Sequence, residues 1–210
     1  MKIRNQQIFN FENSKNLNLN DFFVSNSNYY AYELIKSWPK WEKKIINICG
    51  EKYSGKSHLS NIFITKFKGK IIYANTMNNE TLNSLKIYEN IVLENFSKNI
   101  NENLIYSLFN LIDQDSKYLV INSQIPINEI DFKLNDLKSR LRNCLIAKIQ
   151  NPDDEMIYAL LLKNFADRQI TLDKKLIDFI IKRIDRSYGK IFEFIYKIDE
   201  ISLKKKNRLI

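Results

Sequence analysis

The segment Gly50-Glu51-Lys52-Tyr53-Ser54-Gly55-Lys56-Ser57 matches the spacing G-x-x-x-x-G-K-[ST] at every fixed position, a pattern whose chemistry is to hold a polyphosphate. The glycines let the backbone turn so that successive N–H groups converge on phosphate oxygens. Lys56 would bring an ammonium to the β and γ phosphates, and Ser57 a hydroxyl to Mg²⁺. Tyr53, Ser54 and His58 complete the expected contact set, with a nucleoside di- or triphosphate as the expected ligand. One histidine and two cysteines, Cys49 and Cys144, offer neither a metal site nor a catalytic triad.

A phosphate loop works only when a strand leads in and a helix leads out. Lys44-Ile45-Ile46-Asn47-Ile48-Cys49 is a short apolar run ending at Gly50, and Leu59, Ile62, Phe63 and Phe67 recur at helical spacing beyond it. The helix start would then face the phosphates with its dipole. Further strand-like runs are expected at 70–74, 91–93, 118–121 and 145–149. Helical stretches are expected at 57–67, 101–113 and 134–142, and a helix is expected between Asp21 and Trp41, with Tyr30, Leu34, Ile35 and Trp38 on one stripe. Strands alternating with helices predict an α/β domain with a five-stranded parallel sheet.

After Pro152 the pattern changes. Residues 154–166, 173–183 and 187–201 read as amphipathic helices with no strand between them, and Asn151-Pro152-Asp153-Asp154-Glu155 is a helix-start signal. The expected division is an arm at 1–20, a nucleotide-binding α/β domain at 21–150 and a small all-helical lid at 151–210. In the arm, Gln6, Phe9 and Phe11 stand in polar, Asn-rich surroundings that supply no second apolar face, the pattern of a peptide offered to a partner.

The 210 residues suffice for a substantial core, and 44% hydrophobic content with mean hydropathy of −0.36 indicates a soluble globular chain. No apolar run approaches the roughly 18 residues that span a bilayer, and the N-terminus lacks a signal-peptide core. A cytoplasmic, reducing location is expected. The net charge of +9 comes mostly from lysine in an Asn- and Ile-rich chain, so AT-rich codon usage explains it as well as a nucleic-acid partner does. Direct DNA binding is not required, and no membrane partner is implied.

The whole arrangement resembles the AAA+ class of phosphate-loop NTPases, and three stretches resemble its DnaA-related members. Asp21-Phe22-Phe23-Val24-Ser25-Asn26-Ser27-Asn28-Tyr29-Tyr30-Ala31 is similar to F-x-N-F-V-x-G-x-S-N-x-x-A. Leu134-Asn135-Asp136-Leu137-Lys138-Ser139-Arg140-Leu141 is similar to the box L-x-x-R/D-L-x-S-R-[FL], and Arg186-Ser187-Tyr188-Gly189-Lys190 falls where the lid carries R-S-N-V-R. No DNA-binding helix-turn-helix is expected before Ile210. With the Asp-Leu-Lys-Ser-Arg form and the Gln-aromatic arm, this makes the resemblance strongest to Hda-like regulators of DnaA.

The resemblance implies roles by position. Phe22, Phe23, Val24 and Asn28 would lie near the base. Arg140 would be an arginine finger acting in trans on a neighbour's ATP, a device that raises hydrolysis about 10³- to 10⁵-fold in phosphate-loop systems. Glu94 would be the remaining acid of a degenerate Walker B motif, helping hold Mg²⁺ indirectly, since Asn95 stands where a second acid is usual and cannot take a proton from water. Asn122 would be the first sensor, with Ser123 competing, and Lys190 the second, with Arg186 able to replace it. Gln6, Phe9 and Phe11 would bind the sliding clamp of the DNA polymerase, DnaA would be the second partner, and a homo-oligomer is a further candidate. The plainer alternatives stay open: Arg140 as a surface arginine, Lys190 as a solvated lysine, and arm aromatics docked on the chain's own core. Two rival functions are an active ATPase of helicase-loader type, distinguished by ATP turnover, and a DNA-binding replication accessory, distinguished by salt-dependent DNA affinity.

Overall fold

Alternation along the strands gives the sheet two apolar faces. The computed structural model describes residues 22–168 and 170–206, so the arm with Gln6, Phe9 and Phe11 lies outside the described residues. Strands β1 (Ile45–Cys49), β2 (Gly69–Tyr73), β3 (Asn90–Phe96), β4 (Tyr118–Ser123) and β5 (Leu145–Lys148) form one sheet in the order β2-β3-β4-β1-β5. All pairs are parallel, with Ile46 opposite both Val120 and Leu145. Ile45, Ile91, Leu93, Leu119 and Ile121 point to one face and Ile46, Ile48, Val92 and Val120 to the other. The period-two side-chain geometry of a strand produces this division.

Helices cover both faces, as a parallel sheet requires. On the first face, α4 (Glu102–Gln114) inserts Ile105, Leu108, Phe109 and Ile112, and α5 (Asn135–Arg142) inserts Leu137 and Leu141. The Asn101 side chain starts α4 by accepting from the Asn103 and Leu104 amides at 3.1 and 3.2 Å. On the second face lie α1 (Tyr29–Lys36), through Ala31 and Ile35, and α2 (Lys56–Phe67), through Leu59, Ile62 and Phe63. Among the described residues, no helix is long and apolar enough to cross a membrane.

The chain then builds a separate apolar cluster from α6 (Asp154–Asp167), α7 (Lys174–Ile181) and α8 (Tyr188–Lys206), centred on Ile157, Leu161, Phe165, Ile177, Ile191 and Ile195. Asp153 caps α6 by accepting from the Met156 amide at 2.8 Å.

Two elements differ from the sequence expectation. The helix expected across 21–41 is confined to Tyr29–Lys36, because the buried Asn28 side chain accepts from the Ser25 amide at 3.0 Å and donates to the Phe23 carbonyl at 2.9 Å. Such local side-chain bonds offer the backbone an alternative to helix. Tyr30, expected on the buried stripe, is exposed. A short helix not anticipated, α3 (Asn79–Ser84), buries none of its residues and is made instead by a reciprocal cap between Asn78 and Thr81.

Candidate functional site

The segment 50–57 leaves the C-terminal end of β1 and enters α2. Its geometry is that of an anion cradle. Gly55 sits at the helix start with φ of 96°, where a Cβ would also lie 3.1 Å from the Phe22 ring. Only glycine takes that backbone without strain. No side chain caps α2 and no acid occupies its first turn, so the positive end of the helix faces the cradle unneutralised by the chain itself. Tyr53 adopts φ of 71°, a left-handed conformation costing about 1 kcal/mol for a residue with a Cβ. Its ring lies 5.0 Å from that of Phe192 on α8.

The Lys56 ammonium lies across the cradle, donating to the carbonyls of Gly50 and Glu51 at 2.8 Å each. Burial pushes its pKa down, and the nearby Glu94 carboxylate opposes that shift. A cation that is half-buried and held by neutral groups, two carbonyls and the Ser54 hydroxyl at 3.5 Å, is poised to exchange them for phosphate oxygens.

Three side chains from separate elements meet beside it. Ser57 Oγ donates to Glu94 Oε2 at 3.2 Å, and Asn122 Nδ2 donates to Glu94 Oε1 at 2.8 Å and to Ser60 Oγ at 2.6 Å. Asn122 Oδ1 is buried without a partner. The Ser57 hydroxyl and the Glu94 carboxylate are hard oxygen donors of the kind Mg²⁺ takes while keeping several waters. No group of three or more His, Cys, Asp or Glu that could hold a metal occurs among the described residues, so phosphate oxygens and water would have to complete such a shell.

The position of Glu94 follows from an irregularity in β3. Its register with β4 shifts between Leu93 and Phe96, and Asn95 takes a left-handed φ of 59°. Bulges of this kind re-aim side chains. Glu94 is thereby buried toward Ser57 and Asn122 while Asn95 is exposed. Of the two sensor candidates, Asn122 reaches this cluster. Ser123 is committed elsewhere, donating to the Ile125 carbonyl at 2.6 Å and accepting from Asn47 at 2.9 Å.

Residues 22–28 form the adjoining wall. The Phe22 ring stacks on Tyr32 and meets His58 edge-on at 5.2 Å. Phe23, 45% exposed, lines a cleft of about 350 Å³ with Asp154, Glu155, Tyr158 and Ile181, while Val24 is half-buried. Ser27 knots this wall to the helical segment. Its amide donates to Asp153 Oδ2 at 3.1 Å, its carbonyl accepts from the Gln150 amide at 2.8 Å, and its hydroxyl lies 3.2 Å from Tyr188 Oη.

The remaining candidates are held by other partners. The exposed Lys190 pairs with Glu193 at 3.0 Å, and Arg186 pairs with Asp154 at 2.6 Å. These pairings engage both side chains with carboxylates of the helical segment. Arg140 lies on α5, paired with Asp113 of α4 and stacked over Tyr106, its guanidinium 5.1 Å from the ring centre. Sequence reasoning missed Glu51, whose carboxylate accepts from Ser187 Oγ, the Tyr188 amide and the Gly189 amide at 2.5, 2.8 and 3.1 Å. It also missed the bridging Ser60, Asp153 and Ser27. Glu51 stands at a position the motif leaves open and Ser60 lies beyond its last residue, so the pattern held no signal for either.

No family model matches the chain. The chromosomal replication initiator protein DnaA of Thermoanaerobacter sp. (strain X514) is 29% identical over 196 residues, covering 81% of this chain and 44% of DnaA. The chain therefore spans less than half the length of that relative. Replication initiator DnaA bound to AMPPCP and single-stranded DNA superposes with a TM-score of 0.70 at 21% identity, over 94% of this chain and 70% of that one. Domain III of DnaA from Thermotoga maritima gives a TM-score of 0.71 at 17% identity, over 92% and 90%. These structures share the fold described above.

Proposed function

We propose that this chain, similar to DnaA in sequence and sharing the AAA+ fold, holds ADP or ATP with Mg²⁺ in the 50–57 cradle and regulates replication initiation. In this reading it is similar to Hda: Gln6, Phe9 and Phe11 engage the sliding clamp, and Arg140 acts in trans on ATP bound to DnaA. The observation that carries the nucleotide assignment is the Lys56 ammonium spanning an uncapped helix start, beside Ser57, Glu94 and Asn122.

Each residue has a derivable task. Lys56 leaves the Gly50 and Glu51 carbonyls for the β and γ phosphates. The α2 amides receive the β phosphate, and Phe23 and Tyr158 flank the base in the cleft. Ser57 and Glu94 would hold Mg²⁺, which would supply neutralisation of phosphate charge. Asn122, with an unsatisfied buried Oδ1, would accept from a water that in turn donates to phosphate. Asn95 is exposed and is not a base, which supports a nucleotide that is held more than turned over.

Arg140 has the planar fork that suits a finger, and its Asp113 partner is itself exposed, so the pair is open to exchange for a phosphate. The test is phosphate release from ATP-loaded DnaA in the presence of clamp, with wild type and Arg140→Ala. Stimulation by wild type and its loss of about 10³-fold in the variant is expected. Equal rates would remove the finger assignment. The Glu94 carboxylate beside Ser57 favours one second reading, an active ATPase, which requires steady-state ATP turnover by the chain alone that Lys56→Ala abolishes.

A further inference from the structure

One residue joins the phosphate cradle to the helical segment at two points. The backbone carbonyl of Glu51 accepts from Lys56 Nζ at 2.8 Å, while its carboxylate accepts from Ser187 Oγ and from the amides of Tyr188 and Gly189. Ser187 is the N-cap of α8. Its carbonyl accepts from the Ile191 amide at 3.0 Å and its hydroxyl from the Lys190 amide at 3.3 Å. The first amides of a helix have no intrahelical partner, and a carboxylate there also meets the positive end of the macrodipole. Here that carboxylate comes from 136 residues away, out of the phosphate loop.

Two further features fit the contact to this place. A Cβ on Gly189 would lie 3.0 Å from Glu51 Oε1, so the glycine gives the carboxylate room. The left-handed Tyr53, two residues on from Glu51, packs its ring on Phe192 one turn into α8.

We propose that Glu51 is a positioning residue that couples nucleotide occupancy to the placement of α8, its carbonyl responding to Lys56 and its carboxylate carrying the response to the helix start. The proposal rests on the nucleotide reading of the cradle. A polyphosphate is a stronger acceptor for the ammonium than a neutral carbonyl. When Lys56 transfers to it, the Glu51 carbonyl keeps only the Ser54 amide, 3.2 Å away, and the turn at 50–54 re-orders. The carboxylate then moves the first turn of α8, and Lys190 with it, relative to the phosphates. The coupling needs the ligand to favour one α8 placement over the other, and the shared Glu51 supplies that difference.

The test is residue-resolved amide hydrogen exchange on the full chain, without ligand and with Mg·ADP at a concentration shown by titration to saturate each variant. In wild type, Mg·ADP changes exchange at the Tyr188 and Gly189 amides by about tenfold or more, the scale of a hydrogen bond to a charged acceptor. In Glu51→Ala both amides exchange fast in either state and the ligand-dependent difference disappears. Glu51→Gln, which keeps an acceptor oxygen, restores part of it, and Glu51→Ser, too short to reach either amide, provides a second break should Glu51→Ala not fold. A full ligand-dependent change in Glu51→Ala or Glu51→Ser overturns the coupling. So does wild type that binds Mg·ADP with no change at 187–190, whereas failure of wild type to bind Mg·ADP sinks the nucleotide reading beneath it.

Discussion

Replacing Lys56 with alanine separates a ligand contact from a structural one. In the ligand-free protein the ammonium holds two carbonyls, but burial already penalises its charge, as its lowered pKa records. The two effects oppose, so ligand-free stability should fall by only about 1 kcal/mol. With nucleotide the balance changes. Losing two charge-assisted bonds to phosphate at about 1.5 kcal/mol each weakens binding roughly 100-fold. At a ligand concentration about 100 times its dissociation constant, wild type gains about 2.7 kcal/mol, and the variant about 0.4 kcal/mol. For a chain of this size, 1 kcal/mol moves the melting temperature by about 2–4 °C. Mg·ADP should therefore raise wild type by about 5–11 °C and Lys56→Ala by about 1–2 °C, measured by thermal unfolding with and without ligand. An equal rise in both proteins would refute the role given to the ammonium. No rise in either would refute the nucleotide site.

Asn47→Leu tests the scaffold beneath the cradle: fully buried, Asn47 donates to the Ile121 carbonyl and Ser123 Oγ and accepts from the Ile127 amide. Stranding those buried groups should cost about 2–4 kcal/mol in urea unfolding at unchanged m, and a loss below about 1 kcal/mol would contradict the network. Glu102 accepts from the amides of Lys133 and Leu134, which hold its carboxyl below its ordinary value of 4.5. A carboxylate with a depressed folded pKa adds stability above its unfolded pKa and loses it as pH falls through the folded one. Wild type should therefore exceed Glu102→Gln by a constant margin from about pH 8 to about pH 6, and the margin should close below about pH 4.5. A margin that persists at pH 3 would show that the amides do not favour the charged form.

The legible parts of this molecule were those fixed by short-range periodicity. All five strands and the helix leading out of the cradle read directly from apolar runs, because the central strands β1, β3 and β4 are buried almost throughout and α2 packs an apolar stripe against the sheet. The helix expected over 21–41 did not read correctly, because Asn28 bonds locally to Ser25 and Phe23 and these bonds outweigh the apolar spacing. α3 was invisible for the opposite reason: a polar cap creates it where no apolar stripe exists. In the site, the fixed motif positions were legible. Three parts were not: the pairing of Lys190 with Glu193, the hold of Asp113 on Arg140, and the reach of Glu51 across to Ser187. Each depends on which residues the tertiary fold brings together, and spacing along the chain carries no record of that.

The knot at Ser27 has a consequence for how the molecule can come apart. One oxygen of Asp153 starts α6 and the other holds the Ser27 amide, so the first turn of that helix and the segment carrying Phe23 share a single hinge pin. The aromatic cleft takes one wall from Phe23 and the other from Tyr158 and Ile181. Loosening α6 through α8 would dismantle that cleft even with the sheet intact, so a flat ring bound there would report on whether both halves of the protein are folded together.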